Sequence, residues 1–439
     1  MLATYSYYPY NWGGAEVYVS ALAKHLVTKG HFVQIIAAVP DKAFEEHTIL
    51  FEDESFRSTS YFFENIEILG AQIKKNDTDD IYNKYQKSWV ESWFNILKKK
   101  VPEIIEILHF HAYTMVIGTA IAEAVMKHTG NTKIMASYHI PYTCVKGTLS
   151  FAHKKQDCTV APGTHICTSC QLSERLNLPI NTTQLITRLI PIVKPRFLPT
   201  ALRLKYLTSR HIAGFKYFDS HIQKWQVFSI QIQNILKKSG VASNRINFLR
   251  HGINNIFSQK KNNLLEDNCT NFLYVGRFEK NKGLLTLLKS WDNLPETDKR
   301  HLHLVGENQI NNPEIRNWLN KISRRNDITI YGKKNQIEIH DIMQQMHCTI
   351  IPSECIEIGP MVFHEAIASG NDVIASDIGG CKELANLYSD KSRVFRSGNY
   401  ISLKKAILNY KTNYKRSEFN GNPIYENEHY SVVENLYFT

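Results

Sequence analysis

The chain lacks any apolar run of the ~20 residues that a membrane-spanning helix needs. Its longest apolar stretches, such as Met115 to Met126, stop short of that. No basic-then-apolar leader opens it: Met1-Leu2-Ala3-Thr4-Tyr5 already reads as a strand, which argues against a secretory signal. No repeat of solenoid length is present, and no RNA- or DNA-binding motif. Acidic residues are scarcer than basic ones, 41 Asp and Glu against 52 Lys and Arg in 439 residues, for a formal net charge of +11. That excess favours anionic partners, whether nucleotides, phospholipid surfaces or nucleic acid, without choosing among them. Together these absences point to a cytoplasmic protein that touches a membrane, if at all, from the inner face. Its eight cysteines are then expected to be reduced, metal-bound or buried, not bridged.

What is present is a repeated strand–helix–strand pattern. A short first strand, Leu2 to Tyr8, suggests that a few residues are missing upstream. A helix over Ala15 to Lys29 and a strand over Phe32 to Val39 follow. Further units comprise the strand Ile104 to His109, the helix Ile117 to His128 and the strand Thr132 to Tyr138. An Asn- and Lys-rich linker from Asn254 to Asn271 interrupts the pattern, which restarts at Phe272-Leu273-Tyr274-Val275 and runs to Val373-Ile374-Ala375. The expected architecture is α/β, with two doubly wound domains facing across a cleft. Residues 1–253 form the first domain, with an insert over 144–220. Residues 254–420 form the second, and 421–439 a terminal helix returning to the first. Ligands of such sheets sit at the carboxyl ends of the strands.

The chemistry concentrates in the second half. Thr349-Ile350-Ile351-Pro352-Ser353 ends a strand, Glu357 follows, and Gly359-Pro360 opens a helix that carries Glu365. The first amides of that helix, at Met361 and Val362, offer an anion site with a carboxylate on either side. Val275-Gly276-Arg277 ends another strand, and Lys282-Gly283 begins the next helix. Two cations beside a helix N-terminus suit a diphosphate. Gly13 and Gly14, after the first strand, allow close backbone approach to a phosphate. His139 stands at the end of the strand Ile134 to Tyr138.

In order and spacing these segments resemble glycosyltransferase family four, of the GT-B fold, over nearly the whole chain. The resemblance rests on Tyr8-Pro9 with Gly13-Gly14-Ala15-Glu16, His109-Phe110-His111, His251-Gly252-Ile253, Val275-Gly276-Arg277 with Lys282-Gly283, Glu357 with Glu365-Ala366, and Asp377-Ile378-Gly379-Gly380-Cys381-Lys382-Glu383-Leu384. It implies two Rossmann-like domains and retaining transfer from a nucleotide-sugar donor to a glycan, lipid-linked or other acceptor, with no metal in the chemistry. It further implies that Arg277 and Lys282 hold the donor diphosphate, Glu357 the donor sugar and Glu365 the ribose. Gly14 would lie against the phosphates, and His139 near the reacting sugar. One departure is Asn281, where the family usually has an acidic residue. A sugar-nucleotide epimerase of the same fold and a non-catalytic scaffold are the alternative readings.

Three features fall outside that set. Cys144, Cys158, Cys167 and Cys170 lie close in sequence, the last two as Cys-x-x-Cys, a pattern suited to structural zinc or, less well, an iron–sulfur cluster. The resemblance adds that some bacterial members carry a similar cysteine insert. Asn177 to Phe218 has no acidic residue and interleaves Arg188, Lys194, Arg196, Arg203, Lys205, Arg210 and Lys216 with apolar residues. It reads equally as a surface for anionic lipid and as a helical pair with one basic face. Asp77-Thr78-Asp79 mimics a metal-binding Asp-x-Asp but sits in a polar loop and is expected to be idle.

Overall fold

The structure, a computed structural model, describes residues 1–11, 13–74, 87–101, 104–114, 116–152, 156–192, 200–258, 269–297, 299–307, 312–411 and 424–439. The Asp77-Thr78-Asp79 triplet, Lys194 and Arg196 lie outside the described residues. The chain divides into two compact units, Met1–Leu249 with Tyr430–Thr439, and Arg250–His429.

The first unit is built on a nine-stranded sheet and a small hairpin. Its strands are β1 (Leu2–Thr4), β2 (Gln34–Ala38), β3 (Ile49–Glu52), β4 (Phe56–Phe63), β5 (Ile66–Ile73), β6 (Ile107–Phe110), β7 (Lys133–Ser137), β8 (Ser150–Phe151), β9 (Gln156–Asp157), β10 (Lys224–Val227) and β11 (Ile246–Phe248). The large sheet runs β11-β10-β7-β6-β1-β2-β5-β4-β3. The pairs from β11 to β5 are parallel, while β4 and β3 add antiparallel edges. The parallel strands read as continuous apolar runs because helices cover both their faces. The β3–β4 meander escapes such a reading, since antiparallel edges need no crossover helix to announce them.

The first strand ends at Thr4, earlier than its apolar pattern suggests, and the aromatic residues beyond it pack instead of pairing. Tyr7 is buried, and Tyr8 accepts the Tyr61 hydroxyl on its carbonyl at 3.0 Å. The helix Glu426–Phe438 passes into the first unit, where Glu434 pairs with His25 and His31 and the Tyr437 hydroxyl meets His109.

The second unit holds β12 (Thr270–Val275), β13 (Arg300–Val305), β14 (Ile328–Gly332), β15 (Cys348–Ile351), β16 (Asp372–Ser376) and β17 (Ser392–Phe395). All pair in parallel in the order β14-β13-β12-β15-β16-β17. Strand order reverses between β12 and β15, which creates a crevice at their carboxyl ends. Phe272, Leu288, Trp291 and Ile350 form part of the core beneath it. Among the described residues, no helix is long and apolar enough to cross a membrane.

Candidate active site

The reversal between β12 and β15 brings two loops together. After β12, a short turn over Lys280–Lys282 leads through Gly283 into the helix Leu284–Asp292. After β15, the chain passes through Ser353 and Glu357 into the helix Met361–Ala368. The Asn281 carbonyl accepts the amides of Glu354 at 2.8 Å and Cys355 at 3.2 Å. The backbone of residue 281 therefore ties the loops, whatever side chain stands there. Gly283 completes the join. Its φ is +72°, and a Cβ on it would lie 1.7 Å from the Pro352 carbonyl oxygen. A Lys-Gly pair at this point has a steric origin: the lysine projects into the crevice because only glycine lets the turn press against β15's exit.

Lys282 Nζ donates to Glu357 Oε1 at 2.7 Å, with both side chains mostly covered. Burial pulls the lysine's pKa down, but the Glu357 carboxylate outweighs it and the net shift is upward. The ammonium thus stays charged across the neutral range. Ser353 Oγ also donates to Glu357 Oε1, at 2.9 Å. The Glu357 carbonyl accepts the Gly380 amide at 2.7 Å, and a Cβ on Gly380 would meet that oxygen at 2.7 Å. Gly379-Gly380 thus holds the Glu357 loop by close backbone contact. Gly359 lies at the same junction.

Arg277 is placed differently from Lys282. Its guanidinium is exposed and pairs with Glu279 at 2.9 Å. It is near enough to Lys282 to oppose that ammonium's charge. Met361 and Val362 start their helix half-buried, behind Pro360. The first amides of any helix have no partner within it. Glu365 lies one turn further in, and burial pushes its carboxyl up to about 7.

In the first unit, Gly13 caps and Gly14 begins the helix Gly14–Thr28. A Cβ on Gly14 would meet nothing within 4 Å, whereas one on Gly13 would strike the Glu16 carboxylate at 2.6 Å. Buried Glu16 accepts from Ser6 Oγ at 2.5 Å and Asn11 Nδ2 at 3.2 Å, fixing the loop ahead of the glycines. His139 follows β7, half-buried and edge-on to Tyr142. His109 serves the fold: its ring nitrogens meet the Tyr437 hydroxyl and Ser137 Oγ, each at 2.9 Å.

Sequence reasoning placed Lys282 and Glu357 on separate parts of a ligand, and the structure brings them into direct contact. Ser353 and the contact roles of Gly379-Gly380 and Gly283 went unread, because nothing local marks a side chain or backbone atom as another loop's neighbour. Cys144, Cys158, Cys167 and Cys170 line one pocket. Among the described residues, however, no group of three or more His, Cys, Asp or Glu stands ready to hold a metal ion. The basic segment is partly internal. Arg203 is buried, and Lys205 Nζ donates to the Thr187 and Ile190 carbonyls at 3.1 and 3.0 Å, at the end of the helix Ile180–Leu189.

Two family profiles match the sequence: "Glycosyl transferases group 1" over residues 255–422 and "Glycosyltransferase Family 4" over residues 12–166. The chain belongs to the family 4 (group 1) glycosyltransferases. This glycosyltransferase has the GT-B fold, with two Rossmann-like units. Solved structures agree on the fold at low identity. A glycosyltransferase from Rickettsia africae ESF-5 is 16% identical, with TM-score 0.54 over 99% of this chain and 92% of that one. The catalytic domain of Arabidopsis thaliana starch synthase IV, solved with ADP and acarbose, is 13% identical, with TM-score 0.58 over 100% and 98%. Anabaena HepE, solved with UDP, is 12% identical, with TM-score 0.56 over 100% and 96%. No curated protein sequence matches this chain.

Proposed function

We propose that this glycosyltransferase takes its sugar from a nucleoside diphosphate sugar bound in the crevice of the second unit, with retention at the anomeric carbon. The observation that carries the reading is the Lys282–Glu357 pair at the strand-order reversal, beside the N-terminus of the helix Met361–Ala368. HepE, of like fold, has been solved with UDP-glucose. A diphosphate would be met by the Lys282 ammonium, the Arg277 guanidinium once it leaves Glu279, and the amides of Met361 and Val362. Glu357 would face the donor sugar while holding Lys282 in place, and Glu365 would accept from the ribose hydroxyls. Fixed cations absorb the leaving charge, so the transfer needs no divalent ion. As the donor bond breaks, the leaving phosphate oxygen takes the acceptor hydroxyl's proton on the same face.

A nucleoside diphosphate at a hundred times its Kd should stabilise the protein by about 2.7 kcal/mol in thermal denaturation. A panel of uridine, guanosine and adenosine diphosphates identifies the base; stabilisation by none of them removes the assignment. The Glu365 pKa adds a pH signature. It lies near 7 in the folded protein, above the ordinary 4.5, so the carboxyl is mainly neutral at pH 6 and mainly ionised at pH 8. Stability from the neutral form is therefore lost progressively as pH rises from about 4.5 to about 7. Binding to ribose hydroxyls should gain about tenfold between pH 6 and pH 8, following the ionised fraction. Calorimetric titration with Glu365→Gln as control isolates this from the nucleotide's own phosphate titration. Equal pH dependence in both proteins contradicts the ribose role.

For the acceptor, a glycan or lipid-linked sugar at an anionic membrane fits one surface of the first unit. Leu185, Leu189 and Ile192 are exposed at 61%, 85% and 59%, next to exposed Arg188. Apolar insertion with basic residues at about 1 kcal/mol each suits an anionic leaflet. Vesicles with phosphatidylserine should retain the protein at low salt and release it as salt rises, and Leu189→Glu should weaken retention. Equal partitioning onto neutral vesicles overturns this contact.

A further inference from the structure

The segment between β7 and the helix Thr164–Leu176 has little of its own to hold it. Among the described residues its regular structure is one short 3-10 turn, Ile140–Tyr142, and two strands of two residues each, β8 and β9, paired Ser150 to Asp157 and Phe151 to Gln156. So small a piece buries too little apolar surface to be stable alone, which is the usual setting for a cross-link or a bound metal. Here the chain delivers four thiols to one place. Cys144 opens a tight turn, its carbonyl accepting the Gly147 amide at 2.9 Å. The hairpin then returns the chain, and Cys158 donates its amide to the Leu149 carbonyl at 2.8 Å. Cys167 and Cys170 occupy the first two turns of the helix Thr164–Leu176, three residues apart and so on one face. All four line a single cavity of about 30 Å³, room for an ion or a water or two but not for a nucleotide or sugar.

Three of the sulfurs accept backbone amides. Ala152 N donates to Cys170 Sγ at 3.2 Å, Gly163 N to Cys167 Sγ at 3.4 Å, and the Val160 amide to Cys158. Outer hydrogen bonds of this kind orient metal-bound ligands. Cys167 also stands near the helix N-terminus, where negative charge is favoured. Lys146 lines the same cavity and pairs with Glu174.

We propose that Cys144, Cys158, Cys167 and Cys170 bind one zinc ion as a closed tetrahedral structural site that staples the hairpin to the helix. The thiols line the cavity without yet forming a cage, so binding turns their sulfurs inward over it. Four thiols release four protons to solvent as four Zn–S bonds form, leaving a centre of net charge −2. The amides and the helix N-terminus offset that charge. Four sulfur ligands leave no open position for substrate, so the ion is structural.

The test uses the full chain purified without chelator, and needs neither donor nor acceptor, so it is independent of the proposed reaction. Elemental analysis should find about one zinc per chain. Cys158→Ser and Cys170→Ser should fall below a fifth of that, while Cys269→Ser keeps it. Since the serine variants risk misfolding, Co²⁺ is also added to demetallated wild type. Intense visible absorption of tetrahedral cobalt–thiolate should appear, reach its end point near one equivalent, and disappear on adding zinc. Reduced, folded protein that carries no metal and develops no such absorption overturns the site. So does mass spectrometry that finds these cysteines joined as disulfides in the native protein.

Discussion

Replacing Lys282 with alanine should lower turnover about 10²- to 10³-fold, or about 3–4 kcal/mol in the barrier. The ammonium is fixed at 2.7 Å from Glu357 and remains charged across neutral pH. Negative charge grows on the leaving phosphate as the donor's glycosidic bond breaks. A cation already in position stabilises that state more than the ground state, so turnover should fall further than donor affinity. Lys280→Ala, an exposed cation two residues away, should leave the rate near wild type and separates local charge from position. Glu357→Gln should also be nearly inactive, because it removes the anchor of Lys282 together with the proposed sugar contact. Wild-type transfer should survive excess chelator as long as the proposed cysteine site keeps its metal, and Asp77→Ala and Asp79→Ala should remain near normal. Steady-state kinetics on protein with an unchanged melting profile makes the comparison. A folded Lys282→Ala enzyme within a few-fold of wild type would remove the diphosphate role and the mechanism with it.

Gly283→Ala should be among the most damaging single-methyl additions in the second unit. The residue adopts φ +72°, and the new Cβ would sit 1.7 Å from the Pro352 carbonyl oxygen. Backbone of another strand's exit cannot yield as a side-chain tip can. The left-handed conformation costs about 1–2 kcal/mol for a residue with a Cβ, and overpacking typically about 1–3 kcal/mol more. A loss of about 3 kcal/mol in denaturant unfolding is therefore expected. Whatever folds should be poorly active, since relief of the clash parts the two loops and carries Lys282 away from Glu357. Gly30→Ala is the control: it shares a positive φ, +89°, but meets nothing within 4 Å. Equal small losses at both positions would show that the Pro352 contact does not constrain the turn.

Both predictions depend on facts of different origin. That Lys282 and Glu357 are candidates is legible in the sequence, because a strand exit, a cation and a helix start follow one another in fixed spacing and local backbone physics orders them. The alternation of apolar strands with amphipathic helices likewise determined an α/β chain of two doubly wound units, since buried parallel strands must be apolar throughout and their crossovers must be helical. The cysteine spacing alone marked out Cys144, Cys158, Cys167 and Cys170, the last two as Cys-x-x-Cys.

Other features were settled only in three dimensions. The strand order β14-β13-β12-β15-β16-β17 puts segments some seventy residues apart side by side, and no local pattern encodes which strand neighbours which. The same holds for Gly283 against Pro352, for Gly380 against Glu357, and for the terminal helix whose Glu434 meets His25 and His31. Charge counting made Arg203 and Lys205 part of a basic face, but burial took the first and the carbonyls of Thr187 and Ile190 took the second. Sequence marked which side chains are candidates for the chemistry, because residue type and helix or strand period are local properties. Tertiary structure decided which of them meet, because contact depends on how distant segments pack and on the few positions where only a glycine lets two backbones touch.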